Sequence, residues 1–133
     1  MYKQIEYNNV SKLVLEKFPD IIKNDLWLDN DGKILEYMVA SAFAWYIIKN
    51  IDENNIDELK KCFEFIELLY INGEEKTKEL ATIGYLEDLQ NITGGNITID
   101  RYKIIFDFLG MESKKWWDKL NKYWDGNMDA LKE

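Results

Sequence analysis

The residues of this protein that could take part in chemistry are its aspartates and glutamates. The 133 residues include 25 Asp and Glu, no histidine and a single cysteine, Cys62. Catalytic sets that need histidine, and zinc sites built from histidines or from four cysteines, are therefore excluded. No disulfide can form within the chain. Carboxylates remain, and they could hold a divalent cation or recognise a positively charged partner.

A calcium loop is one form of carboxylate chemistry that the sequence suggests. Asp29 and Asp31 precede Gly32 as carboxylates precede the glycine of such a loop. The register fails, because with Gly32 in sixth place the first ligand would be Trp27 and the twelfth would be Met38. This segment is predicted to be a turn followed by a helix cap.

A second form is a magnesium site built on Glu64 and Glu67. All-α nucleotide pyrophosphohydrolases hold Mg²⁺ with an ExxE pair on one helix and an ExxD pair on the next, but no glutamate here is followed three positions later by Asp. Glu87 and Asp88 are the nearest substitutes, and adjacent helical residues point about 100° apart. An Mg²⁺-dependent hydrolase that uses these four acids remains an alternative. The simpler interpretation of Glu64 and Glu67 is that they belong to a solvated helix face beside Lys60.

Glu87 attracts attention because it shares the predicted spacing of one helix face with Leu80 and Ile83, next to Gly84. A carboxylate on an apolar stripe costs several kcal/mol if it is buried without a partner. We therefore expect Glu87 either to hydrogen-bond a helix end, a tyrosine or a lysine, or to have a direct function.

The aromatic cluster near the C-terminal end offers a different kind of contact. Trp117 and Trp124 are predicted to be core residues, whereas Trp116 and Tyr123 lie around the helix from them and are expected to be partly exposed. Exposed aromatic edges are favoured anchors in protein interfaces. Cys62 falls on an apolar stripe and is expected to be an inert small hydrophobic residue.

Helices position these residues. Periodic apolar positions predict one all-α domain over residues 1–133, a bundle of five or six helices. The predicted helices cover about 10–18, 33–50, 56–71, 74–90, 100–109 and 113–124, with a further turn or two within 21–28. Residues 92–99 are predicted to form a loop, with a small hairpin as the alternative.

Two features of this bundle follow from its pattern. The second helix is apolar around nearly its whole circumference, which predicts a place in the middle of the domain. The third and fourth helices are joined by a short connector at Asn72 and Gly73, which predicts an antiparallel hairpin.

The net charge and the hydropathy of the chain restrict the classes of partner and the cellular location that we expect. The net charge is −8, which disfavours nucleic acid and anionic membranes as partners. The longest nearly apolar run, residues 37–48, has twelve residues, short of the roughly 20 needed to cross a bilayer. The single thiol, together with a start, MYKQIEYNNV, that does not look like a signal peptide, predicts a cytoplasmic protein.

The middle of the chain resembles a group of known proteins. Residues 43–50, FAWYIIKN, and 63–91, FEFIELLYINGEEKTKELATIGYLEDLQN, are similar to small, acidic, all-α bacterial proteins, with ELATIGYLEDLQN at 79–91 as the distinguishing piece. Some of these proteins look like immunity proteins encoded beside polymorphic or contact-dependent growth-inhibition toxins. The resemblance implies a protein that neutralises a cognate toxin by covering its active site.

The predicted function combines this resemblance with the acidity. Toxins of this kind are often nucleases with basic clefts, and an acidic partner can steer itself onto such a cleft about 10- to 1000-fold faster than a neutral one. We expect no enzyme activity, no cofactor and no metal. An adaptor or a homodimer formed through the C-terminal aromatics is a further alternative. The predicted partner-binding residues are Glu64, Glu67, Glu75, Glu79, Asp88 and Trp116.

Overall fold

The computed structural model describes residues 4–21, 27–93, 99–126 and 131, and within these ranges the chain forms six helices, a short 3-10 turn at Tyr7–Asn9 and no β-strand. The all-α prediction is confirmed. The predicted loop at 92–99 and the predicted turn within 21–28 fall largely on 94–98 and 22–26, outside the described residues. The helices are α1 (Val10–Lys17), α2 (Glu36–Asp52), α3 (Ile56–Asn72), α4 (Glu75–Glu79, continuing through Leu80–Leu86 into Glu87–Thr93), α5 (Ile99–Phe108) and α6 (Met111–Trp124).

Helix α2 is the centre of the bundle, as its composition predicts. It packs against α1, α3, α4 and α5. The Phe43 ring lies edge-on to Phe18 at 5.1 Å between centroids and to Tyr85 at 5.3 Å, a favourable geometry for aromatic pairs. One side of α2 is nevertheless exposed, at Met38 and Trp45. The expectation that α2 is enclosed on all sides is wrong there. An apolar circumference does not determine how many other helices pack around it.

Helices α3 and α4 pack side by side and are tied together at their shared corner. The Tyr70 hydroxyl and Thr82 Oγ1 are hydrogen-bonded at 2.8 Å. At the corner, the backbone N–H of Ile5 donates to the Asn72 carbonyl at 2.7 Å. A Cβ at Gly73 would lie 2.1 Å from the Leu69 carbonyl oxygen, so only glycine fits this connector.

Two helix starts are capped by glutamates from other helices. Glu36 of α2 accepts hydrogen bonds from the Ser11 backbone N–H at 2.9 Å and the Ser11 hydroxyl at 2.7 Å, in the first turn of α1. Glu67 of α3 does the same at the start of α6 with Ser113, at 2.9 and 2.8 Å. A carboxylate at this end of a helix satisfies free N–H groups and the positive end of the dipole. These contacts lock α1 to α2 and α6 to α3.

The turn before α2 explains why that helix starts at Glu36 and not at residue 33. The Asp29 carboxylate accepts the N–H groups of Asp31 at 2.8 Å and Lys33 at 2.9 Å, and Gly32 has φ +79°. The predicted turn is confirmed. The predicted cap is wrong, because Asp29 bonds to the turn itself and not to the first turn of the helix.

Helix α4 widens into a π-helix over Leu80–Leu86, which the sequence pattern does not predict. A Cβ at Gly84 would lie 3.2 Å from the Ala40 Cβ, so α2 passes closely at this point. The wider turn also separates Leu80, which is fully buried, from Ile83, which is exposed. The predicted common face of Leu80, Ile83 and Glu87 is therefore wrong, since it assumed a regular α-helical period.

Within the described ranges, no helix combines the length and apolarity that crossing a bilayer requires.

Candidate partner-binding surface

The six residues predicted to contact a partner lie in three separate places. Glu75, Glu79 and Trp116 line a groove of about 370 Å³ between α4 and α6. Glu64 and Glu67 line a different pocket of about 250 Å³ beside Gly110. Asp88 lies further along α4, where it is half-buried. The structure therefore brings together three of the six residues in one groove.

Glu67 has a structural role. Besides its two bonds with Ser113, its carboxylate accepts the Glu112 N–H at 3.0 Å. A Cβ at Gly110 would lie 2.5 Å from the Glu67 Cδ, so the helix start is pressed against this carboxylate. The expectation that Glu67 is exposed is wrong, because it is half-buried and its carboxylate oxygens accept hydrogen bonds from the start of α6; its contact with a partner stays a prediction. Glu64, one turn earlier, is exposed.

Trp116 is half-buried, as predicted, but its ring is already in contact with other side chains. It stacks on Tyr70 with 6.3 Å between centroids and 4° between planes, and Lys119 Nζ lies 4.4 Å from its ring centroid. Trp116 can therefore offer a partner only the part of the ring that these contacts leave accessible.

The other aromatic predictions have mixed outcomes. Trp117 is fully buried and Tyr123 is half-buried, as predicted. Trp124, predicted to be in the core, is 53% exposed, because it lies in the last turn of α6 beyond the buried Leu120. Cys62 is fully buried, and burial raises the pKa of its thiol to about 12, which agrees with an inert residue.

The outward side of α4 carries a row of side chains that we call the α4 ridge. In a regular α-helix with 3.6 residues per turn, side chains spaced four residues apart rotate gradually around the helix axis. The wider π turn in the middle of α4 rotates them in the opposite direction. The row therefore continues past the π segment. The ridge consists of the row Glu75, Glu79, Ile83 and Glu87 and, at its end, Asp88, which lies beside Glu87 about 100° around the helix; all five are exposed or half-buried.

Among the described residues, none forms an ion pair with the four acids of the ridge. The ion pairs found in the described part of the chain, Lys61–Glu58 and Arg101–Asp52, lie elsewhere. Burial, and then the neighbouring charge of Glu87, raise the pKa of Asp88 to about 6. Burial also raises the pKa of Glu87. Among the described residues Glu87 has no hydrogen-bond partner, so the expected bond to a helix end, tyrosine or lysine is not found.

Two tyrosines extend the ridge on the α2 side. Tyr37 is 40% exposed, and its Cδ1 would lie 3.4 Å from a Cβ at Gly84. Burial raises its pKa, and so do the charges of Glu79 and Glu87 together with Tyr7, which places the phenol near both ridge acids. The Tyr7 ring lies 6.5 Å from the Tyr37 ring. Sequence reasoning missed Tyr37 because it begins an otherwise apolar run; the nearby close-approach glycine, Gly84, was the available signal.

This surface suits a cationic partner better than a metal ion. Carboxylates and tyrosine rings both attract Lys and Arg side chains. In the described ranges, no three His, Cys, Asp or Glu side chains are grouped so that they could hold a metal ion. The four acids of the hydrolase alternative, Glu64, Glu67, Glu87 and Asp88, therefore do not form the converging set that it requires.

Comparison with known proteins places most of the chain in one family. Residues 11–125, from α1 to the end of α6, match a family model described as a domain of unknown function, DUF7674. No curated protein and no solved structure matches the chain.

Proposed function

The chain belongs to the DUF7674 family, and we propose that it is a binding protein that covers a basic surface of a protein partner with the α4 ridge. The observation that carries this proposal is the set of four ridge acids without ion pairs among the described residues, beside the exposed Tyr37. Burial and, second, the neighbouring charge of Glu87 raise the pKa of Asp88, so these two adjacent acids disfavour each other's ionised form in the free protein. A basic partner relieves that repulsion, so the acids favour the complex.

The partner that we propose is a cognate bacterial toxin with a basic nuclease domain. The support is the resemblance to immunity-like proteins, whose distinguishing segment, residues 79–91, lies within α4 and carries most of the ridge. A cleft that receives a polyphosphate is positive, and a folded acidic protein can block it by bulk. In this proposal the chain needs no cofactor and catalyses no reaction.

The test compares two charge-reversed variants with the same net charge. The first carries Glu75→Lys, Glu79→Lys and Glu87→Lys on the ridge. The second carries Glu16→Lys, Glu53→Lys and Asp107→Lys, at exposed positions away from it. If a neighbouring gene encodes a large secreted protein with a variable C-terminal domain, association is measured with that domain, at several salt concentrations.

We expect the ridge variant to associate at least about tenfold more slowly and with a weaker salt dependence. The control variant should lose much less of the association rate, because its charges act only at long range through the solvent. Equal slowing of both variants would mean that net charge alone matters. Absence of binding by the wild-type chain would remove the toxin from the proposal.

A further inference from the structure

The segment that precedes α1 lies across the start of α4, and we call residues 4–9 the N-terminal strap. The backbone N–H of Ile5 donates to the Asn72 carbonyl at 2.7 Å, and the Ile5 carbonyl accepts the Glu74 N–H at 3.1 Å. The Thr77 hydroxyl donates to the same Ile5 carbonyl at 2.7 Å. Both polar backbone groups of Ile5 are therefore used at the corner between α3 and α4.

The contacts of the strap take the place of a side-chain cap at the start of α4. Glu74, the N-cap residue of this helix, makes no cap hydrogen bond with its own side chain. Its carboxylate instead accepts the Tyr7 N–H of the strap at 3.1 Å. A hydrogen bond from the Lys78 N–H to the Glu74 carbonyl, at 3.0 Å, closes the first turn of the helix. Because helix ends leave N–H groups unpaired and fray, the strap stabilises the turn at which the α4 ridge begins.

The strap has few buried side chains of its own. Ile5 is buried and Tyr7 is half-buried. The others are exposed, namely Gln4, Glu6, Asn8 and Asn9. Segments with few buried apolar contacts open at a lower free energy than the core does. The next residue, Val10, is fully buried in α1, so an opening of this kind ends where α1 begins.

We propose that the N-terminal strap opens as a unit while the helices stay packed, and that its opening releases the first turn of α4. That turn carries Glu75 of the ridge. The strap also places the Tyr7 ring 6.5 Å from the Tyr37 ring and 5.7 Å from Lys76 Nζ, measured from the ring centroid. A seated strap therefore keeps this end of the ridge in order, and its bearing on partner binding rests on the proposed function.

The experiment measures amide hydrogen exchange of the whole chain by NMR spectroscopy, without a partner. In the wild-type chain the amides of Ile5, Tyr7, Glu74 and Lys78 should have similar protection factors, because one opening exposes them all. These factors should be at least about tenfold below that of the fully buried Ile66 in α3.

Ile5→Ala tests the link between the strap and α4, because it alters no atom of that helix. Loss of the buried side chain should speed the exchange of the Lys78 amide at least about tenfold. Ile56→Ala is the matched control, since Ile56 is 41% exposed at the other end of α3, and it should leave that rate within about twofold of the wild type. Thr77→Val removes one hydrogen bond to the strap and should speed the exchange of the Ile5 amide about fivefold.

Two results would overturn the proposed strap. Protection of the Ile5 and Tyr7 amides equal to that of Ile66 would show that the strap opens only when the whole domain unfolds. Unchanged exchange of the Lys78 amide in Ile5→Ala would show that the first turn of α4 does not depend on the strap. The measurement needs no toxin, so its failure is separate from a failure of the proposed binding function.

Discussion

At the scale of single residues, Asp88 is the clearest case of a carboxylate whose ionised form the fold destabilises. Burial and the charge of Glu87 raise its pKa to about 6, so the folded state holds a proton on Asp88 more tightly than the unfolded chain does. The stability that this preference gives is present at low pH and is lost as the pH rises through about 6. Above that pH the ionised Asp88 destabilises the fold.

Asp88→Asn should therefore raise the free energy of unfolding near pH 8 by about 1 kcal/mol, after allowing for solvent screening of a half-exposed group. Near pH 4 the variant should gain little, because the folded Asp88 is protonated there. Urea denaturation at both pH values measures the difference, with the exposed Asp107→Asn as control. An equal gain at both pH values would argue against the raised pKa as its cause.

The sequence identifies the acids but not their partners. Glu64 and Glu67 look alike in the pattern, yet one is exposed and the other caps a helix that begins more than forty residues later. Spacing along one helix says which side chains share a face, and it carries no information about which helix start meets that face. Glu75 and Glu79 are exposed, as predicted, because the exposure of an acid on an amphipathic helix can be predicted from the local pattern alone.

At the scale of the helices, the start of α6 depends on Glu67. The N-cap residue that the structure describes there, Gly110, has no side chain to serve as a cap, so three hydrogen bonds to Glu67 replace it. Glu67→Ala should lower the free energy of unfolding by about 1–3 kcal/mol. Glu64→Ala, one turn away and exposed, should change it by less than about 0.5 kcal/mol. Thermal unfolding of both variants checks this, and equal losses would refute the capping role.

Most helices could be predicted from the apolar period, and their observed bounds lie within a few residues of the predicted ones. The exceptions have physical causes. Asp29 closes a turn that delays α2, and the close approach of Ala40 to Gly84 accompanies the π segment of α4. Both are tertiary or side-chain effects that a periodic pattern does not contain.

At the scale of the whole molecule, the acidic side chains of α4 and the exposed apolar side chains of α2 lie on different surfaces. The α4 ridge concentrates acids that form no ion pair among the described residues, beside Tyr37, while the exposed side of α2 carries Met38, Trp45 and Lys49. Net charge alone predicts a basic partner but not the face that meets it. The proposal of the α4 ridge depends on the fold, in which Glu36 and Glu67 hold the helices together while the ridge acids form no ion pair among the described residues.

The most direct measurement is mass-spectrometric labelling of carboxyl groups, with and without the partner that we propose, a basic nuclease toxin domain. If the α4 ridge is the contact surface, Glu75, Glu79, Glu87 and Asp88 should lose most of their labelling in the complex, while Glu16, Glu53 and Asp107 keep theirs. Unchanged labelling of the ridge in a stable complex, with protection at the second set, would contradict the account.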